Sequence, residues 1–122
     1  MPDGGRLRRV DEAVRQVLAD AIAEELKDPR VGFVTVTDVS TSTDLSCARV
    51  YVSVLGDAAA REASLEGLRH AHGYLQGRIA KELELRRTPT LEFRYDETTD
   101  RALHLEEILR RGDRPSGTGG GG

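Results

Sequence analysis

The feature that most constrains this chain is a change of apolar period at Pro29. Before it, Leu7, Val10, Val14, Val17, Leu18, Ala21 and Ile22 recur every three or four residues, the stripe of an amphipathic helix. Arg9, Glu12, Gln16, Asp20 and Lys27 fall on the other face, and Asp11 lies nearer the stripe in the first turns, where the helix dipole favours an acid. After Pro29, Val34 and Val36 alternate with Thr35 and Thr37, and Ala48, Val50, Val52 and Val54 alternate with Arg49, Tyr51 and Ser53. Period two with β-branched residues marks a half-buried strand. Proline has no amide to continue a helix and keeps the preceding residue, Asp28, out of the α region. The pattern predicts a helix over 7–27, strands over 33–39 and 47–55, and a hairpin connection in the turn-forming run STSTD between them.

Residues 56–60, GDAAA, open a helical region that runs to about Leu85 and contains Gly67, Gly73 and Gly77. A glycine inside a helix costs about 1 kcal/mol relative to alanine, so a break or bend is expected near one of them; periodicity does not choose which. LEFRY (91–95) alternates again as a third strand. Thr98, Thr99 or Asp100 is placed to cap a final short helix carrying Leu105, Ile108 and Leu109. The domain is expected over 6–111, between a disordered N-terminus (1–5) and a disordered glycine-rich tail (112–122) that has no large apolar residue. Helix, strand, strand, interrupted helix, strand, short helix predicts an α+β fold. Its three-stranded sheet is covered by helices on one face, and the polar face is left to solvent.

With 18 Lys and Arg against 21 Asp and Glu, the net charge is −3, which argues against a protein that coats DNA through bulk positive charge. Local balances differ. Residues 69–87 hold five cations (Arg69, Arg78, Lys81, Arg86, Arg87) and two anions, or +3, and residues 6–15 hold four arginines and two anions, or +2. A single cysteine, Cys47, excludes an internal disulfide framework and fits a reducing cytoplasm. The charged start MPDGGRLRR lacks the apolar core of a signal peptide, and no apolar run approaches the roughly 20 residues of a membrane span. A cytoplasmic location with no membrane partner is expected.

Catalytic chemistry finds no footing. His70 and His72 stand two apart, which on a helix points them away from one another. Asp28, Asp38, Asp44, Asp96 and Asp100 all have turn or capping explanations, and no phosphate loop, nucleophile elbow or Cys/His zinc spacing is present. The expectation is a non-enzyme with no cofactor, no metal and no small-molecule substrate. The basic segment 69–87 reads either as a solvated helix face or as a surface that contacts phosphates. Arg49, Tyr51 and Arg94 on the outer sheet face read first as ordinary surface, although an aromatic between cations can stack a base.

Three stretches carry a resemblance: RVDEAVRQVLADAIAEELKDPRVGFVTVTDV (9–39), DLSCARVYVSVLG (44–56) and TPTLEFRYDETTD (88–100). Taken in order, and over about residues 6–110, the chain resembles ribosome-binding factor A, a family of bacterial ribosome-assembly factors. The resemblance implies a KH-like fold of type II, αββααβ, with an Ala-x-Gly interhelical kink in place of the G-x-x-G loop of RNA-gripping KH domains. Ala71, His72 and Gly73 match that kink, so the resemblance selects Gly73 as the bending glycine, with His72 first as its spacer and otherwise as an RNA contact. Thr41 and Thr43 depart from the family pattern, which has more apolar residues there.

The resemblance further implies a partner: the free small (30S) ribosomal subunit and its 16S rRNA, with a role in late maturation and processing of that RNA and in growth in the cold. The expected contacts are Arg69, Arg78, Lys81, Arg86 and Arg87, with Arg8, Arg9 and Arg15 as a second group, and the chain is expected to act as a monomer. The competing reading is a small α+β interaction or ligand-sensing module that dimerises through its sheet. The hydrophobic outer strand face such a module would need is missing.

Overall fold

The computed structural model describes residues 2–98 and 108–110. In chain order the elements are α1 (Pro2–Glu24), β1 (Val34–Thr41), β2 (Cys47–Val54), α2 (Ala58–His70), α3 (His72–Glu82) and β3 (Thr90–Tyr95). Strand order is β1-β2-β3, with β1 antiparallel and β3 parallel to β2. The parallel pair requires a long crossover, and α2 and α3 supply it. This is the α+β fold with a three-stranded sheet that the sequence predicts, and its element order is compatible with the KH-like arrangement.

The apolar stripe of α1 becomes core: Val14, Leu18, Ala21 and Ile22 are buried against Val36 and Val39 of β1 and Ala48, Val50, Val52 and Val54 of β2. Leu65, Leu68, Leu75 and Ile79 from α2 and α3, with Leu91 and Phe93 from β3, complete it. Each large apolar side chain in this set contributes about 1.5–3 kcal/mol when fully buried.

Several boundaries differ from expectation. α1 begins at Pro2, inside the 1–5 segment expected to be disordered; proline's fixed φ suits the first helical position. It ends at Glu24, before Lys27: the Glu25 amide still makes an α-helical bond to Ala21 O (2.9 Å), and the Leu26 amide turns back to the same oxygen (3.2 Å) in a wider closing turn. Asp11 consequently lies well inside the helix, and its carboxylate accepts the Thr41 amide (2.9 Å) in place of a dipole role. The residues after β3 turn helical at Glu97, and their cap is Asp96, whose Oδ1 accepts the Thr98 amide (2.9 Å), not Thr98 itself. The expected cap residues Thr99 and Asp100, Leu105, and the 112–122 tail lie outside the described residues.

β1 runs to Thr41, two residues past the expected end, by means of a bulge. The register passes from Val36↔Val52 directly to Asp38↔Tyr51. The extra residue, Thr37, donates its hydroxyl to Asp96 (2.6 Å). A bulge resets the alternation of sides, so Val39 and Thr41 face the core while Asp38 faces solvent.

The helix break falls at Ala71 (φ −87°, ψ 11°), whose amide is shared between Gly67 O (3.0 Å) and Leu68 O (3.1 Å). The break therefore lies in the Ala71-His72-Gly73 segment that the resemblance selects, and Gly73 stands in the first turn of α3 with no special backbone conformation. Among the described glycines only Gly56 has a positive φ, and a Cβ on Gly73 would meet nothing within 4 Å. The close approach belongs to Gly67, where a Cβ would stand 2.6 Å from Val31 Cγ2. Without that side chain, α2 lies directly on the 28–32 loop, where Ser64 Oγ accepts the Gly32 amide (3.1 Å).

Candidate RNA-binding surface

The structure divides the predicted cations into those already engaged within the fold and those left to solvent. Arg78 is engaged most fully. Its guanidinium bridges Glu25, just past the end of α1, and Glu82 one turn further along α3, while the Tyr74 hydroxyl donates to Glu25. These contacts hold Arg78 firmly protonated and pull the Glu25 carboxyl below its usual range, through Arg78 first and Tyr74 second. Arg78 therefore clamps antiparallel α1 and α3 and is not a free phosphate ligand. Arg78→Glu would set a third carboxylate beside Glu25 and Glu82. It is expected to lower the melting temperature, more at low salt than at high salt, because the interaction is screened; Arg78→Gln should lose less.

Arg69 reaches Phe93 O (3.4 Å) on the free edge of β3, and His72 Nε2 accepts the Leu91 amide (3.0 Å) on the same edge. His72 thus does more than space the kink: it closes a strand edge, which requires its Nε2 unprotonated. Arg15 pairs with Glu12. Lys81 is exposed, and its charge adds to the pull on Glu25. Arg61, on α2, lies 3.9 Å over the Tyr95 ring. On the outer sheet face, Arg49 and Arg94 both reach Glu92 Oε1 (3.4 and 3.1 Å).

What remains is a group at the other end of α3. Because α1 and α3 run antiparallel, the start of α1 meets the α3–β3 loop, and with it Arg86 and Arg87. A cleft of about 410 Å³ lies there, walled by Arg6, Leu7 and Val10 of α1, Thr43, Asp44 and Leu45 of the hairpin turn, and Glu84, Leu85 and Arg86 of the loop. A shallower groove beside it is lined by Arg6 and Arg9 with Glu82 and Leu83. Arg6, Arg8, Arg9, Arg86 and Arg87 are exposed, and among the described residues none has an ion pair. Arg6 is not among the expected contacts. Its signal is present in the +2 balance of the N-terminal run, but nothing in the sequence joins it to Arg86.

The hairpin turn that forms one wall is rigidly built. Leu45 sits in the left-handed region (φ 61°), a costly conformation for a branched side chain. Asp44 holds it by accepting the Ser46 hydroxyl (2.7 Å), the Ser46 amide (3.0 Å) and the Ser42 hydroxyl (2.8 Å). These bonds bring the Asp44 carboxyl from 3.8 down to about 2, with Arg87 adding a smaller pull. Arg30 does the same for Asp28, also to about 2. Since folding favours the ionised forms, their contribution to stability is complete above the ordinary value of 3.8 and is lost as pH falls toward 2. Asp44→Asn and Asp28→Asn should each flatten the decline of the urea midpoint across that acid window and leave its slope near neutral pH unchanged.

Relatives with this fold carry a common description. A family profile for ribosome-binding factor A matches residues 6–109. A ribosome-binding factor A from Desulfitobacterium hafniense is 44% identical over 105 residues, which are 86% of this chain and 84% of that one. The crystal structure of ribosome-binding factor A from Thermus thermophilus superposes with a TM-score of 0.66 at 31% identity, over 73% of this chain and 94% of the other. A Thermotoga maritima relative solved by solution NMR gives 0.66 at 34%, over 73% and 85%. A homology model of the Thermus thermophilus protein, fitted into a cryo-EM map of its 30S complex, gives 0.61 at 32%, over 72% and 92%. On sequence and fold together, the chain belongs to the ribosome-binding factor A family.

Proposed function

We propose that this protein binds the free small ribosomal subunit, assists late maturation and processing of 16S rRNA, and matters most in the cold. It would act in the cytoplasm as a monomer, without cofactor, metal or small-molecule substrate, through binding energy alone. The observation that carries the reading is the meeting of exposed arginines from two distant parts of the sequence, Arg6 and Arg9 of α1 with Arg86 of the α3–β3 loop, none of them in an ion pair among the described residues, in a member of this family. Together with Arg8 and Arg87, which are also exposed, they offer cations to phosphates and hold no ion pair among the described residues, on a protein that is acidic overall. Such contacts position RNA but read no sequence. The Thermus relative fitted into a 30S map supports the choice of partner. No helix among the described residues is long and apolar enough to cross a membrane.

Sedimentation of cell extract through a sucrose gradient tests the proposal. The protein should travel with free small subunits and be absent from translating ribosomes; recovery at the top of the gradient would favour the competing interaction-module reading.

A further inference from the structure

Among the described residues, side chains reach into both edges of the sheet but leave one stretch of β1 without any such contact. On β3, Gln76 Nε2 donates to Pro89 O (3.0 Å), His72 accepts the Leu91 amide and Arg69 reaches Phe93 O. On the second half of β1, carboxylates close the edge: Asp38 accepts the Val39 amide (2.9 Å) and Asp11 the Thr41 amide. The first half has no such cover. Phe33 O accepts the Leu55 amide (3.1 Å), so residues 33 and 35 face β2. By the alternation of an antiparallel ladder, Val34 and Val36 turn their N–H and C=O groups outward. Among the described residues, neither has a partner for these groups. Directly beside them stand the two most exposed large apolar side chains among those residues, Phe33 (79%) and Leu55 (76%), joined across the strands by that same hydrogen bond.

An open strand edge is a liability that proteins normally blunt. Here side chains blunt parts of both edges but not the stretch 33–36, and there it is flanked by unburied apolar surface. We propose that this edge receives an extended, basic segment of a small-subunit protein as a fourth strand, bonded to Val34 and Val36, with an apolar side chain set over Phe33 and Leu55. The inference rests on the ribosomal reading. Strand addition matches the outward N–H and C=O groups, which recur every second residue. The basic character follows from the exposed carboxylates that border the site, Asp38 at the bulge and Asp57 two residues after Leu55. Those charges would repel a phosphate backbone, and a second copy of the chain would bring the same carboxylates against one another.

The test places a photoreactive benzoylphenylalanine at position 33 of the full chain, bound to purified small subunits. The expected adduct survives nuclease, is destroyed by protease, and maps to a Lys- or Arg-rich stretch of one small-subunit protein. The paired substitution Phe33→Ser with Leu55→Ser changes only exposed side chains and should weaken binding about tenfold, the effect of losing an apolar anchor. It should do so equally at every salt concentration. Val34→Pro removes the outward amide but no bond to β2 and should act alike, with circular dichroism confirming that the fold is kept. Adducts to rRNA alone, adducts between two copies, or no adduct from a bound chain would overturn strand addition and leave the ribosomal reading standing. Failure of the wild type to bind small subunits at all would remove both.

Discussion

Gly67→Val is expected to destabilise the domain by about 2–3 kcal/mol, the range for forcing extra carbons into a filled site. A Cβ at position 67 would lie 2.6 Å from Val31 Cγ2 and 3.4 Å from Arg30 Cβ. Val31 is itself packed against the core, so it cannot retreat without uncovering apolar surface. Gly67→Ala meets the same obstruction but gains back about 1 kcal/mol of helix propensity, so its net cost should be smaller. Gly73→Ala provides the contrast. Its Cβ would enter open space on a backbone with ordinary φ, and the substitution should be neutral or stabilising by up to about 1 kcal/mol. Urea denaturation of the three variants decides between them. A destabilisation at Gly73 equal to that at Gly67 would mean that the helix junction does depend on glycine, against the open space around its Cβ position.

The parts of this fold that were legible in the sequence are those written in a repeating period. The α1 stripe, the β2 alternation and the stop at Pro29 all follow local rules, and the first two repeat theirs several times, so one exception does not hide them. The bulge at Thr37 was not legible as such, although Asp38 sits where strict alternation from Val34 and Val36 would place a core residue. That misplaced acid was the available signal; the expected strand stops at 39 because the turn-forming STSTD run follows it. Gly67 and Gly73 look alike in sequence because a close approach is made by a loop more than thirty residues away. Arg78 failed as a free ligand for the same reason: Glu25, which holds it, is 53 residues distant. The site was half legible. Charge balance found both arginine runs, but only the antiparallel packing of α1 on α3 shows that Arg6 and Arg9 meet Arg86 while Arg69 and Arg78 face elsewhere.

The largest effect on binding is expected from neutralising the arginines at that meeting point. Replacing Arg6, Arg9, Arg86 and Arg87 together with glutamine removes four exposed cations that hold no ion pair among the described residues, so stability should be preserved. Each phosphate ligand removed should flatten the log–log dependence of affinity on salt by about 0.7–0.9, giving a change in slope of roughly 3. At about 0.1 M salt the same change corresponds to roughly 10²–10³-fold weaker binding. A glutamine at Arg49, which pairs with Glu92 on the outer sheet face, should leave the slope unchanged. The decisive measurement is therefore the affinity of wild type and the four-arginine variant for purified small subunits across a salt series. Wild type is expected to bind tightly with a steep salt dependence, and the variant weakly with a shallow one. Equal affinities and equal slopes would contradict the arginine junction as the RNA-binding surface, and would place the ribosomal contact away from the meeting of α1 with the α3–β3 loop.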